Sequence, residues 1–220
     1  SPNPTGCTPS TVTFNDNSLI EGGSIVSWTW DFGTGEPTQT TNINSITHPY
    51  NNTGTYTVRL TVTDANGCTN NNQTSVIVKP VPIITMTPIP TLCKNGAPVI
   101  LSGGTPAGGI YSGIGVNSGI FNPSIGTGTY LINYSYTANN GCTGTSSSSA
   151  VVEPLPVINL GNDRIICAGQ STVLNAGAGF SSYAWSNGAT TSSIVVDSNG
   201  TGLGAKNVFV VVSNAAGCQN

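Results

Sequence analysis

The residues best able to do chemistry in this 220-residue chain are its six cysteines. No two of them have the CxxC spacing of a metal site, and the chain contains a single histidine, so the sequence indicates neither a zinc cluster nor a Cys-His active site. The sequence therefore predicts that the cysteines form disulfide bonds, which persist in oxidising compartments. The cysteines are Cys7, Cys68, Cys93, Cys142, Cys167 and Cys218.

The cysteines belong to a repeated pattern. Three segments align without gaps, and each is an alternating strand that ends in a turn and a Gly-Cys pair. These segments, and two Pro-x-Pro linkers, recur at an interval of about 75 residues, which indicates an array of similar domains. The sequence predicts three domains, at residues 1–80, 81–155 and 156–220, called repeats 1, 2 and 3. The segments are Gly54 to Cys68, Gly128 to Cys142 and Gly204 to Cys218, and the linkers contain Pro80 and Pro82, and Pro154 and Pro156.

Each repeat has one cysteine near its start and one near its end. Pairing within each repeat is the simplest interpretation, because a domain of this size buries too little surface to be stable without help. A disulfide that closes a loop of about 50 residues would stabilise each domain by roughly 4 kcal/mol. The predicted bonds are Cys7–Cys68, Cys93–Cys142 and Cys167–Cys218.

The third repeat is expected to lack its last strand in this chain. A strand-like run follows Cys68 and another follows Cys142, but only Gln219 and Asn220 follow Cys218. Two explanations stay open: the chain is a piece of a longer protein, or a neighbouring subunit donates the strand.

Composition points to an all-β fold with many turns. Charged residues make up 6% of the chain, glycine and proline are frequent, and no segment keeps a helical period. A net charge of −3 with five basic residues argues against nucleic acid as a partner. No apolar run has the roughly 20 residues of a membrane span, so no membrane insertion is expected.

Repeat 1 resembles the PKD (polycystic kidney disease) domain family. The resemblance lies in Trp28-Thr-Trp30-Asp31-Phe-Gly-Thr34, in His48-Pro-Tyr50, and in the segment that begins at Gly54. It implies an immunoglobulin-like sandwich that serves as a spacer or ligand-binding module. Trp30, His48 and Tyr56 are then structural core residues, and Asp31 caps the turn through backbone amides.

Some PKD domains bind calcium, and the resemblance suggests a weak calcium site here. Its candidate ligands are Asn17, Ser18, Glu21 and Asp31, whereas Thr34 replaces the second acidic residue of the usual turn. Calcium prefers six to eight oxygen ligands, mostly carboxylates, so the supply of charge is thin. Asn17 and Ser18 are equally suitable as turn formers.

Repeats 2 and 3 resemble immunoglobulin-like repeats of large Bacteroidota surface proteins. In repeat 3 the resemblance includes Ile166-Cys167-Ala-Gly-Gln, Trp185 and Ala216-Gly-Cys218; in repeat 2 it includes the Gly-Ile-Tyr segment at 109–111 and Asn140-Gly-Cys142. Trp185, and Tyr130 at the position equivalent to Tyr56, are predicted core residues. Such architectures belong to adhesins and gliding-motility proteins exported by the type IX secretion system, or to multidomain hydrolases.

An enzyme active site is not expected. A Ser-His-Asp site could be built only around His48, and no G-x-S-x-G motif accompanies it. Asp31 and Glu36 bracket a tight turn and do not face a cleft as paired catalytic carboxylates would.

The sequence therefore predicts an all-β tandem array of three immunoglobulin-like/PKD β-sandwiches without enzymatic activity or cofactor. The leading hypothesis is a segment of a bacterial adhesin or filament at the cell surface, associated with the outer membrane, that acts as a spacer and adhesive module. Accessory carbohydrate-binding domains of a secreted hydrolase, and a subunit that polymerises by strand exchange, are the alternatives. The expected partners are flanking repeats of the same polypeptide and a surface glycan or protein.

Overall fold

Residues 4–198 and 204–220 are described by the structure, a computed structural model that is almost entirely β. Parts of two predicted domains, residues 1–3 and 199–203, lie outside the described residues. The chain folds as two compact units. The first contains Ser1–Ile84 and Ser135–Gly144, and the second contains Thr85–Tyr134 and Thr145–Asn220.

Seven strands form the described part of repeat 1. One sheet has the order β1-β7-β6-β3-β4, with β1 parallel to β7, and the other pairs β2 with β5. On β6, Tyr56, Val58 and Leu60 point to the core while the residues between them face solvent, as the two-residue period requires. The strands are β1 (Thr5–Cys7), β2 (Ser10–Asn15), β3 (Ile25–Asp31), β4 (Gln39–Thr41), β5 (Ser45–Tyr50), β6 (Gly54–Asp64) and β7 (Thr69–Lys79).

Repeat 2 has shorter strands around a long hairpin. Its main sheet has the order β12-β15-β16-β9, in which β9 runs parallel to β16, and two smaller sheets have the orders β10-β14-β13 and β11-β8. The strands are β8 (Thr85–Met86), β9 (Leu92–Cys93), β10 (Val99–Ile100), β11 (Gly104–Thr105), β12 (Ile110–Ser112), β13 (Val116–Asn117), β14 (Ile120–Phe121), β15 (Gly128–Thr137) and β16 (Thr143–Glu153); a 3-10 turn spans Pro123–Ile125.

In the described part of repeat 3, two strand pairs enclose the core. β17 (Ser171–Asn175) pairs with β19 (Ser193–Asp197), and β18 (Ser182–Trp185) pairs with β20 (Val210–Ser213). On the other side of β20, Gln219 bridges Ser213, and Asn220 exchanges two backbone hydrogen bonds with Val212. Gln219 and Asn220 thus pair with β20 as β7 pairs with β6 in repeat 1.

Three separate apolar cores confirm the all-β sandwich class, and each draws on a single repeat. The clusters centre on Trp30, Phe121 and Trp185, which are all buried. No helix in the described ranges is long and apolar enough to cross a membrane.

The predicted pairing of cysteines within each repeat is wrong. Two disulfides are present, and each joins the first cysteine of one repeat to the second cysteine of the next. The two remaining cysteines are free and exposed. The bonds are Cys7–Cys142 and Cys93–Cys218, and the free thiols are Cys68 and Cys167.

The register of the strands explains the error. Cys7 lies opposite Lys79, the last residue of β7, whereas Cys68 directly precedes the first residue of β7. The 11 residues of β7 separate these two ends by roughly 35 Å. Disulfides join residues whose Cα atoms are about 4–7 Å apart, so Cys7 cannot reach Cys68. Cys93 lies opposite Glu153 at the end of β16, and is separated from Cys142 in the same way.

Candidate functional site

Three turns with nearly the same backbone geometry carry the second cysteine of each repeat. They span residues 64–68, 138–142 and 214–218 and are called turns 1, 2 and 3. In each turn the first residue donates its N–H to the carbonyl of the cysteine, at 2.9–3.0 Å. The glycine before the cysteine has a φ of 82° to 86° in all three turns, a left-handed conformation that glycine adopts without strain.

Turn 2 lies against the linker that follows repeat 1, within the first compact unit. Asn140 donates from Nδ2 to the carbonyl of Pro80 at 2.9 Å, and Lys79 donates from Nζ to the carbonyl of Asn140 at 3.0 Å. The disulfide from Cys142 to Cys7 closes the same contact. Two residues beyond the cysteine, Gly144 lies so close to the carbonyl of Pro82 that a Cβ there would approach its oxygen to 2.5 Å.

Turn 3 makes the equivalent contact with the second linker, within the second compact unit. Asn214 donates from Nδ2 to the carbonyl of Pro154 at 3.0 Å, and Asn220 donates from Nδ2 to the carbonyl of Pro156 at 2.9 Å. The disulfide from Cys218 to Cys93 again covers the joint. Each joint between successive repeats therefore combines a covalent bond with hydrogen bonds from a Gly-Cys turn to the Pro-x-Pro linker.

Burial separates the joined turns from turn 1. Cys142 and Cys218 are 0% and 1% exposed, whereas Cys68 is exposed. The cysteine of the Gly-Cys turn is therefore buried in turns 2 and 3 and exposed to solvent in turn 1.

The Trp-Asp-Phe-Gly turn of repeat 1 is held by its acidic residue. Asp31 is exposed, and its Oδ1 accepts a hydrogen bond from the backbone N–H of Gly33 at 2.9 Å. Its role is to cap the turn from the surface, so it does not lie in the core. Gly33 has a φ of 69° and lies against the backbone of Thr57, which leaves no room for a side chain.

His48 lies inside the sandwich, 4% exposed. Its ring stacks on Phe32 with centroids 3.9 Å apart and meets the ring of Tyr50 edge-on. Burial lowers the pKa of the His48 imidazole, and the Glu36 carboxylate opposes this only in part. Burial also raises the pKa of Tyr50 to about 12. These contacts are those of a ring packed in the core of repeat 1.

The candidate calcium ligands include only two carboxylates, those of Glu21 and Asp31. Asn17 and Ser18 follow β2 and line the open groove of repeat 1, whereas Asp31 is the last residue of β3 and caps the turn that follows it. Glu21 is exposed and does not line the groove. Among the described residues no three His, Cys, Asp or Glu side chains gather at one place, so no carboxylate-rich calcium site is seen there, and the weak calcium site stays a prediction.

Asp16, which sequence reasoning missed, organises the loop after β2. Its carboxylate accepts hydrogen bonds from Trp28 Nε1 at 2.7 Å and from the backbone and hydroxyl of Ser18. Burial alone would raise the pKa of Asp16, but these hydrogen bonds outweigh it and hold the pKa below its ordinary value. Ser18 thus serves as part of a turn.

An open groove of about 940 Å³ runs along repeat 1 beside turn 1. Its floor includes the core residues Phe14 and Trp30, and its rim is polar. Trp30 is 3% exposed, and its Nε1 is buried without a hydrogen-bond partner in the described structure. Cys68 and Asn70 lie on the rim.

The other predicted core residues lie in or beside the three clusters. Tyr56 and Tyr130 are half-buried at equivalent places, and each donates its hydroxyl to a backbone carbonyl four residues earlier. Trp185 is buried and donates from Nε1 to the carbonyl of Thr191 at 2.8 Å. It stands in a repeat whose first cysteine, Cys167, is free.

The joint residues Asn140, Asn214 and Asn220 were also missed. The available signal was the recurrence of a Gly-Cys turn together with a Pro-x-Pro linker. It was hidden because Asn140 and Asn214 occupy different positions of their turns.

Comparison with known proteins extends these observations for repeat 1. Residues 1–78 match the model of the PKD domain. The chain is 45% identical over 65 residues to collagenase ColA of Bacillus cereus, and 46% identical over 70 residues to collagenase ColA of Clostridium perfringens. Each match covers 30% of this chain and 6% of the collagenase, so the chain spans a small part of the length of these relatives.

A solved structure, the PKD1 domain of the Vibrio cholerae metalloprotease PrtV, is 32% identical. The match covers 33% of this chain and 98% of that domain, with a TM-score of 0.26. The family model spans the Trp-Asp-Phe-Gly turn, His48 and the segment that begins at Gly54, which are the features described above. Residues 1–78 of this chain therefore form a PKD domain.

Proposed function

We propose that this chain is a non-catalytic, extracellular repeat segment of a bacterial cell-surface adhesin or filament, which spaces and adheres. The observation that carries the proposal is the position of the disulfides. Both of them join one repeat to the next and not the two ends of a single repeat. A covalent bond across a joint limits how far neighbouring domains can separate under load, which is of use in a protein that transmits force.

The surface chemistry supports an adhesive role outside the cell. Only 6% of the residues are charged, and asparagine, threonine and serine supply most of the polar surface. Contacts made by neutral amides and hydroxyls depend little on salt. The same groups exchange hydrogen bonds with sugar hydroxyls, so a surface glycan is the first ligand class to test, and a protein ligand is the second.

Export by the type IX secretion system, attachment to the outer membrane and a role in gliding are part of this proposal. They rest on the resemblance of repeats 2 and 3 to surface-protein repeats of Bacteroidota. The division into domains at residues 1–80, 81–155 and 156–220 belongs to it as well, and is supported by three separate cores.

Adhesion can be tested with beads that carry the oxidised chain. Pull-off force is measured on a glycan array, on collagen and on glass, and beads coated with the reduced and alkylated chain serve as the control. The proposal expects binding to at least one surface by the oxidised chain and no hydrolysis of any glycan or peptide substrate. Equal, background-level forces for both bead types on every surface would contradict it.

A second candidate function is that of accessory domains in a secreted hydrolase. The identity of 45–46% to segments of two collagenases favours it. It predicts that the oxidised chain binds insoluble collagen or polysaccharide and that the parent polypeptide contains a catalytic domain. Failure of the chain to sediment with either polymer would argue against this alternative.

Strand exchange into a polymer is a third proposal. It rests on β20, whose outer edge pairs only with Gln219 and Asn220 among the described residues. Light scattering of the purified chain tests it directly, because strand exchange predicts oligomers that grow with concentration and persist in reducing agent.

A further inference from the structure

Turn 1 has the geometry of the two turns that hold the joints. Asp64 accepts hydrogen bonds at Oδ1 from the N–H groups of Asn66 and Cys68 at 2.8 and 2.9 Å. In turn 3, Asn214 accepts the equivalent bonds from Ala216 and Cys218 at 3.0 and 2.9 Å. Turn 1 therefore has the same hydrogen-bonded conformation as turn 3, which contacts a linker.

Turn 1 also carries a suitable donor. Asn66 occupies the position of Asn140, whose side-chain amide binds the carbonyl of Pro80 in the first joint. The amide of Asn66 is exposed. Asn70 occupies the position of Gly144 and Asn220, which contact Pro82 and Pro156 in the two joints.

The groove beside turn 1 provides an independent observation. Its rim contains Cys68 and Asn70, and its floor contains Trp30, whose buried Nε1 has no hydrogen-bond partner in the described structure. A buried N–H without an acceptor has lost its hydrogen bond to water without replacement, which destabilises the folded state. Leu19, also on the rim, is 98% exposed. An extended segment could offer a backbone carbonyl to Trp30 Nε1 and an apolar side chain to Leu19. The Pro-x-Pro linkers are extended segments that contain both kinds of group.

We infer that Cys68 forms a disulfide with the first cysteine of a preceding repeat in the same polypeptide, whose linker lies on turn 1 and in the groove. The same rule assigns Cys167 to the second cysteine of a following repeat. The inference rests on the flanking repeats of the proposed function. The occupant is a repeat of the same type, because both observed joints pair a Gly-Cys turn with a Pro-x-Pro linker.

The segment around Cys167 agrees with this assignment. Cys7 and Cys93, its equivalents, lie on β1 and β9, which pair in parallel with β7 and β16, the strands that follow turns 1 and 2. Residues 165–167 form no strand, and Ile165 is 100% exposed. Cys167 is exposed as well.

Each new bond forms by oxidation of two thiols. Two electrons and two protons pass to the disulfide of a thiol–disulfide oxidoreductase, through a mixed disulfide between that protein and one of the cysteines. The product is one S–S bond and a reduced dithiol on the oxidoreductase. The oxidising compartment predicted from the cysteines is one in which such proteins work.

Peptide mapping of the full-length protein, purified without reductant and with thiols blocked at lysis, tests the inference. Trypsin does not cut between Lys79 and Pro80, so Cys68 and Cys93 share the peptide 60–94. That peptide is expected to be linked to the one that begins at residue 207 and to a second peptide from outside residues 1–220. The peptide 165–206, which contains Cys167, is expected to be linked to another outside peptide.

Several results would overturn the inference. These are a blocked free thiol at Cys68 or Cys167, a bond between these two cysteines, or bonds to another polypeptide, seen as multimers on a non-reducing gel. In the full-length protein, Cys68→Ser is expected to release one thiol in the preceding repeat, whereas Thr69→Ser releases none. Mapping detects only covalent connectivity. The disulfide inference can therefore be refuted by mapping while the proposed adhesive function remains valid.

Discussion

The two disulfides, which each join one repeat to the next and are called crossed disulfides, should limit how far the chain extends when it is pulled from both ends. With both bonds intact, the shortest covalent path runs from the N-terminus to Cys7, across to Cys142, back to Cys93 and across to Cys218. This path contains about 57 residue steps and spans roughly 210 Å when fully extended. Removal of Cys7 and Cys142 lengthens the path to about 94 steps, or roughly 330 Å.

The matched control is the pair of free cysteines. Cys68→Ser/Cys167→Ser should leave the extension at roughly 210 Å, because neither residue is bonded in this chain. The Cys7→Ser/Cys142→Ser variant should be longer by about 120 Å. Full reduction should bring every variant to roughly 770 Å.

Single-molecule force spectroscopy with handles at both termini measures these lengths. The informative quantity is the contour length after the last unfolding event, fitted for each variant in oxidising buffer and again in reductant. Bonds within each repeat would leave the unaltered chain at nearly the same length, so only the variants discriminate. If the Cys68→Ser/Cys167→Ser variant lengthened, the crossed pairing would be refuted.

Four further outcomes follow from the structure. Above pH 6.5, the ordinary pKa of histidine, His48 should not affect the stability of repeat 1. As the pH falls from 6.5 towards the lower pKa of the folded protein, the stability should decrease, because the unfolded ring binds a proton more readily than the folded one. In thermal melts, His48→Gln should flatten this pH dependence. Asp16→Ala should lower the free energy of unfolding by about 1–2 kcal/mol in urea titrations, because Trp28 Nε1 loses a charged acceptor. Gly144→Ala should loosen the first joint, seen as faster hydrogen exchange in turn 2, because its Cβ would press on the carbonyl of Pro82. Calcium or EDTA should leave the melting temperature unchanged within error, because no three acidic or histidine side chains gather in the described part of the chain; a rise with calcium would instead support the weak site predicted from the sequence.

The sequence predicted the local elements well, because they depend on local rules. The alternation at Tyr56, Val58 and Leu60 identified β6, and Gly67 with Cys68 marked the end of its hairpin. The PKD fold of residues 1–78 followed from the turn at Asp31 and the residues near it.

The disulfides could not be predicted in the same way. Counting cysteines in each repeat ignores that β1 pairs in parallel with the far end of β7, which places Cys7 a strand's length from Cys68. The partner that does reach Cys7 lies 135 positions along the chain, and its approach depends on how a turn of the next repeat meets a linker. The calcium site stays a prediction for a similar reason, since whether Asn17 and Asp31 share a site depends on the fold of the loop after β2, which Asp16 organises.

The two sulfur bridges also overlap along the chain, because Cys93 lies inside the span that Cys7 and Cys142 close. A single break in the backbone anywhere between Cys7 and Cys218 therefore leaves two pieces that are still covalently joined. The exposed linker prolines Pro80 and Pro154 fall inside this span. If each disulfide closed a single repeat, both linkers would lie outside every disulfide loop, and one cut there would separate the chain. A protein displayed on a surface can therefore be cut by a protease once within this span and remain in one covalent piece, and at least two cuts are needed to release a part of the span.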